Sequence, residues 1–236
     1  MLNTLTFGGL VSSSYGVYIS GSGTFSAPER DYQFQAVPGR NGELALDNKR
    51  YLDIDVVYPA FIKNNFDSNL ANLRSAFSAK IGYQELSDSY HPNEFRLAVF
   101  SKGLDVKPIK NLSAGQFDLS FRCKPQRFLT SGKTKTTITS STGSINNPTS
   151  FESKPLITVT GYGTLTIGTQ TITITNHFTD VTIDSELGDC YKGSNNANLY
   201  VSFSGNKFPV LVPGTNAISR SGNITKVEIT PRWFEL

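Results

Sequence analysis

The sequence predicts a mainly β protein of two domains, with a single helix in the first. Three observations predict it. Apolar and polar residues alternate with a period of two over many short runs, the pattern of half-buried strands. One stretch, Leu70, Leu73, Phe77 and Ile81, repeats instead at the spacing of one helix face. Composition also changes near residue 130: four Thr precede residue 131 and 19 follow it, while 18 aromatic residues precede it and nine follow. A chain of 236 residues can build two small cores.

Residues 1–130 read as the first domain. Asp67 or Ser68 is expected to cap the helix start and Gly82 to end it. Strands are expected over Tyr51–Tyr58, over Glu94–Phe100 and, most clearly, over Gln116–Cys123, where Phe117, Leu119, Phe121 and Cys123 share a face. Pro38-Gly39-Arg40-Asn41-Gly42 reads as a tight turn, because Gly and Asn supply the positive φ angles such turns need. The segment from Ser131 to Ser150 is rich in Ser, Thr, Gly and Asn, so residues 131–147 read as a domain junction, either linker or exposed strand.

Residues 148–236 read as a β-sandwich. Leu165 and Ile167, then Ile172 and Ile174, alternate with Thr on both sides of Gly168-Thr169-Gln170, which predicts a hairpin with one buried face. Short strands are expected at Val181–Ile183, Leu199–Phe203, Phe208–Val212 and Ile224–Thr230.

The chemistry of catalysis is sparse. The histidines are His91, in a turn, and His177, at a strand end, and both read as surface residues. Gly161-Tyr162-Gly163 joins two strands and lacks the following helix of a dinucleotide fingerprint, so it reads as a turn. Asp53 and Asp55 lie two apart on a strand and read as an exposed face rather than a glycosidase pair. Asp184, Glu186 and Asp189 are the densest acidic group. Their spacing is not that of an EF-hand, and a solvated turn outweighs a calcium site. Trp233 is expected in the core, with Tyr162 and Tyr191 as loop tyrosines.

Net charge is +3, with Lys and Arg scattered. Neither a basic stripe for nucleic acid nor a basic amphipathic face for membranes is visible. Cys123 and Cys190 read as free, buried thiols. Met1 to Gly9 lacks the features of a signal peptide, and no run approaches the ~20 apolar residues of a membrane span. No cofactor and no metal is expected.

Several segments, taken in order, carry a resemblance. Leu5-Thr-Phe-Gly-Gly9 and Val37-Pro-Gly-Arg-Asn-Gly-Glu-Leu44 open the chain; Gly82-Tyr-Gln-Glu-Leu-Ser-Asp-Ser-Tyr-His-Pro92 follows the helix; Phe121-Arg-Cys-Lys-Pro125 closes the first domain. Asn147-Pro148, Ser153–Ile157, Ile183–Glu186, Phe208–Ile218 and Pro231-Arg-Trp233 follow in the second. Together they resemble the siphophage distal tail protein family over nearly the whole chain.

The resemblance implies a first domain with an extended hairpin arm that helps six copies close into a ring, and a galectin-like β-sandwich as the second. Such a ring joins the tail tube protein to a tip that holds the tail-associated lysin and the receptor-binding protein. It implies a structural, non-enzymatic protein of the virion tail, made in the cytoplasm of a bacterial host. The arm makes Pro38, Gly39, Arg40, Asn41 and Gly42 the interface candidates, with Arg40 expected to meet an acidic group on the next subunit. The alternative is a carbohydrate-binding module for host cell-wall attachment, supported by the Thr-rich sandwich and its loop tyrosines. A glycoside hydrolase ranks third, because nothing makes two carboxylates converge.

Overall fold

A computed structural model of the chain describes residues 2–21, 26–100, 102–104, 106–109 and 114–236. The chain divides into two compact units, Met1–Arg127 with Leu236, and Phe128–Glu235.

The first unit contains β1 (Leu5–Phe7), β2 (Leu10–Val11), β3 (Val17–Ile19), β4 (Arg30–Ala36), β5 (Glu43–Tyr51), β6 (Ile54–Ile62), α1 (Phe66–Ser78), β7 (Gln84–Asp88), β8 (Glu94–Val99) and β9 (Val106–Ile109). The long β10 (Ala114–Leu129) ends it. One sheet runs in the order β2-β1-β7-β8-β10-β6-β3, with β9 also on β10, while β4 and β5 pair only with each other.

Antiparallel partners share a face, so register decides burial. Phe117 lies opposite Ala60, Leu119 opposite Tyr58, Phe121 opposite Val56 and Cys123 opposite Ile54, and all eight are buried. The alternation expected for Gln116–Cys123 is therefore present. Phe66, Leu70, Leu73 and Phe77 of α1 join the same core. Phe7 packs at 5.1 Å from Phe121 and 5.3 Å from Phe77, ring centre to ring centre.

The helix differs at both ends from the sequence expectation. It starts one turn earlier on its apolar face, with Phe66. Asn65 precedes it in the left-handed region, and neither Asp67 nor Ser68 caps it: Ser68 Oγ donates to the Asn65 carbonyl at 3.1 Å. Asp67 still lies in the first turn, where a negative charge meets the positive end of the helix dipole. The helix stops at Ser78, so Ile81 is 90% exposed instead of extending the buried stripe. Beyond the end, Lys80 N–H donates to the Phe77 carbonyl, Gln84 Nε2 donates to the Ile81 carbonyl, and Gly82 at φ +72° redirects the chain. The expected strand over residues 51–58 also breaks, because β5 ends at Tyr51 and β6 begins at Ile54.

The second unit contains β11 (Thr136–Ile138), β12 (Thr142–Asn147), β13 (Leu156–Thr160), β14 (Gly163–Ile167), β15 (Gln170–Ile174) and β16 (Asp180–Asp184). It continues with β17 (Asp189–Lys192), β18 (Asn195–Asn196), β19 (Val201–Phe203), β20 (Gly214–Gly222), β21 (Lys226–Thr230) and β22 (Phe234–Glu235). Two sheets, β11-β21-β13-β16-β17-β18 and β12-β20-β14-β15-β19, send side chains into one core. That arrangement is a β-sandwich. The hairpin of β14 and β15 turns at Gly168-Thr169, with Leu165, Ile167, Ile172 and Ile174 all buried.

Residues 131–147 are a correction. They belong to the second unit and supply a strand to each of its sheets, with Ile138, Ile145 and Asn147 buried. Thr137, Thr142 and Ser144 occupy exposed positions of those strands, while Thr136 shares the inward face of Ile138. The stretch Phe208–Val212 is not a regular strand; its backbone bridge runs from Leu211 to Ser153, outside the sheets, and side chains of Gln170 and Asn216 accept from its Val210 and Val212 amides. Leu199 precedes β19 in a short turn and is 92% exposed.

Cys123 and Cys190 are free and buried. Burial pushes both thiols up to about 12. Since the thiolate is the reactive form, neither should be alkylated by iodoacetamide at pH 8 until the chain unfolds. Mass spectrometry before and after denaturation checks this, and labelling of the native chain within minutes would contradict it. No helix among the described residues is long and apolar enough to cross a membrane.

Candidate oligomerisation arm

β4 and β5 form a hairpin that stands outside the sheet of its own unit. From Tyr32 to Arg50 every residue is exposed. The tip is built by the predicted residues. Arg40 N–H donates to the Val37 carbonyl at 3.2 Å, with Pro38 and then Gly39, at φ +75°, between them. Pro at the second position and a positive φ at the third are the requirements of a type II turn. Gly42, at φ +82°, leads the chain back into β5.

Charge pairs hold the root of the hairpin. Arg30 grips Asp47 with two contacts, 3.0 Å from Nε to Oδ1 and 2.6 Å from Nη2 to Oδ2, and its guanidinium lies 5.0 Å above the Tyr51 ring. Arg50 Nε donates to Asp31 at 2.6 Å. The Arg30 guanidinium, with the Lys49 amide, holds the Asp47 carboxyl below the usual carboxylate range, and Arg50 does the same for Asp31.

Toward the tip the hairpin is apolar on both faces. Phe34 lies opposite Ala45, with Tyr32 and Ala36 on the same face. Leu44 and Leu46 lie opposite Gln35 and Gln33 on the other. The Tyr32 and Phe34 rings sit 6.2 Å apart, and Phe34 is 62% exposed. Tyr32, Val37, Leu44 and Leu46 are exposed as well. A two-stranded hairpin is marginal in water by itself, and a contiguous exposed apolar surface marks an interaction site.

The remaining sequence candidates are dispersed. Asp55 and Asp53 share the outer face of the first sheet, where Lys102 reaches Asp55 at 2.7 Å and Arg122 lies 3.4 Å from Asp55 and 3.6 Å from Asp53. These are surface ion pairs. His91 is half-buried, with Nδ1 3.2 Å from Asp88 Oδ1. His177 stacks on Tyr200 at 3.7 Å between ring centres. Trp233 is buried, Tyr162 packs partly buried against the second core, and Tyr191 lies within β17.

The acidic group at 184–189 is not a solvated turn throughout. Asp184 is 3% exposed, and Arg232 holds both its oxygens, at 2.6 and 2.9 Å. Glu186 faces Lys154 at 3.2 Å, and Asp189 accepts from Asn198 at 2.7 Å. Among the described residues no group of three or more His, Cys, Asp or Glu is placed to hold a metal ion.

Residues 12–123 match the family described as the phage tail protein RIFT-related domain. The matched stretch contains the arm. No curated protein matches the chain. Among solved structures, the Dit protein (gp 19.1) of phage SPP1 is 10% identical over 100% of both chains, with a TM-score of 0.75. That protein is described as a paradigm of the hub adsorption apparatus in phages that infect Gram-positive hosts. The phage P2 baseplate in its activated conformation is 8% identical over 97% of this chain and 98% of that one, with a TM-score of 0.49. The family match over residues 12–123 and the fold shared with the SPP1 Dit protein agree with the resemblance read from the sequence.

Proposed function

We propose that this chain is the hub ring of a phage tail tip, in which six copies close head to tail through the arm. The ring joins the tail tube to the tip apparatus, including the tail-associated lysin and the receptor-binding protein. Its work is mechanical and non-enzymatic, and its place is the virion tail. The observation that carries this reading is the isolated hairpin with apolar side chains on both faces. Its own unit leaves it bare, and a ring covers it by repeating one heterologous contact around a closed axis. Closure also covers the exposed strand edges that otherwise invite uncontrolled pairing.

Light scattering over a wide concentration range tests it. The expected result is a transition from the 25.8 kDa chain to a species six times heavier. A mass that stays at one copy up to the highest concentration reached removes self-association by the arm as the driver of the ring.

A further inference from the structure

An arm that acts between copies needs a receiving surface, and a head-to-tail ring requires every copy to carry both. The outer face of the first unit's sheet holds a groove of about 480 Å³. Pro59 and Phe61 of β6 and Gln116 and Asp118 of β10 line it, with Lys102 and Ser20 at its margins. Register places these groups together: Asp118 lies opposite Pro59 and Gln116 opposite Phe61. On the far side of β6, Tyr18 lies opposite Phe61, with 5.9 Å between the rings. Val57, two residues from Pro59 on the same face, is exposed. Among the described residues the groove therefore has an apolar floor and one acidic group, Asp118.

Charge selects the occupant. On this face Lys102 and Arg122 are engaged by Asp55 and Asp53. Asp118 is exposed, and no cation among the described residues pairs with it. On the arm, Arg30 and Arg50 are engaged by Asp47 and Asp31, while Arg40 at the tip has no carboxylate partner among the described residues. The tip is slender, since Arg40 is the one long side chain between Pro38 and Gly42. A cavity of this size is in the range that accepts a small ligand, and so accommodates an arginine with its flanking turn. Guanidinium and carboxylate match in geometry as well as in charge.

We propose that the arm tip of one copy seats in this groove of the next, with Arg40 on Asp118 and Val37 against Phe61 and Pro59. The proposal rests on the ring reading and names its receiving surface. In a closed ring each copy then inserts one tip and receives one.

The test mixes two variants of the full chain, Arg40→Cys and Asp118→Cys, under a mild oxidant. Both positions are exposed, so both variants should fold. The native thiols are buried and stay out of the reaction. The expected product is a disulfide-linked dimer in the mixture and in neither variant alone. Light scattering runs alongside. An oligomer without the mixed disulfide overturns the groove and leaves the ring reading standing, with the tip seated elsewhere. A single-copy mass without the disulfide overturns both. Charge reversal gives an independent readout. Asp118→Arg should raise the concentration needed for assembly at least about tenfold, since like charges brought together across an interface are strongly disfavoured. Adding Arg40→Asp in the same chain should restore much of the loss. Failure of the double variant to recover, in a chain that still assembles through its arm, counts against the pairing.

Discussion

Phe34→Glu combined with Leu44→Glu is expected to yield a folded chain that no longer assembles. The two residues lie on opposite faces of the hairpin, so one contact surface is lost on each face. Burying a Phe or Leu side chain contributes about 1.5–3 kcal/mol, and about 1.4 kcal/mol corresponds to tenfold in association. Each substitution should therefore weaken a contact by roughly 10- to 100-fold, and the pair by about 100-fold or more at each subunit junction. A ring repeats that junction, so its half-assembly concentration should rise beyond what light scattering reaches. The melting temperature should hardly move, because neither side chain belongs to either core. Gln33→Glu with Gln35→Glu, on the same hairpin, supplies the charge control and should keep most of the assembly. Retained assembly of the Phe34/Leu44 double variant would place the copy-to-copy contact off the arm.

The contrast between arm and core explains what the sequence could reveal. Phe117, Leu119, Phe121 and Cys123 alternate and are buried, as their spacing predicts. Tyr32, Phe34 and Ala36 alternate equally well and are exposed. Period two states that a strand has an apolar face; it is silent on whether the same unit or a second copy covers that face. The tip was legible because Pro38-Gly39 and Gly42 are required by local backbone geometry.

Errors arose where tertiary context overrode local pattern. Ile81 continues the helical period, yet the chain leaves the helix at Ser78 and turns at Gly82 toward β7. The Ser/Thr run after residue 131 looks like linker because the wet face of a sandwich strand has the same composition; just Ile138 and Ile145 mark its dry face. Asn147 is buried in that run because its side chain donates to the carbonyls of Phe151 and Leu211, a satisfied polar site with no periodic signal. β8 turns Arg96 and Ala98 inward, while Phe95, Leu97 and Val99 stay half-buried on the outer face. Such a strand carries its large apolar residues on the less buried side and an arginine on the buried one, so alternation orients it the wrong way.

Asp184 failed for a related reason, since its partner Arg232 is 48 residues away, and the pair makes the second large prediction. Asp184→Ala should destabilise the second unit by about 1–3 kcal/mol, the cost of leaving buried donors without their acceptor, since the stranded Arg232 side chain is 31% exposed and stays partly hydrated. The loss has three parts: an uncompensated guanidinium, and the amides of Glu186 and Leu187, which now donate to Asp184 Oδ1 at 3.0 and 3.2 Å. Arg232 is also held in the left-handed region, at φ +59°, a backbone conformation that the pair helps to maintain. Burial by itself would push the Asp184 carboxyl up. The Arg232 guanidinium and the two amides together outweigh burial and hold it below the usual carboxylate range. A carboxyl depressed in the folded state contributes stability above its unfolded value of about 3.9, and that contribution is lost as pH falls through the lower folded value. Hydrogen exchange should accordingly show residues 128–235 of the native sequence losing protection below about pH 4, a step that Asp184→Ala lacks because it is already destabilised at pH 7. Arg232→Ala should reverse the sign on the pH axis: with the cation gone, burial dominates and raises the Asp184 carboxyl, so the variant is destabilised at neutral pH and should gain protection, not lose it, as pH falls through the raised value. Replacing both partners with apolar residues of similar volume should recover part of the loss, since breaking a pair costs more than removing it whole. If Asp184→Ala changes protection by less than about 1 kcal/mol, the value of an exposed ion pair, the carboxylate is solvated and the buried pair is not what holds that end of the sandwich.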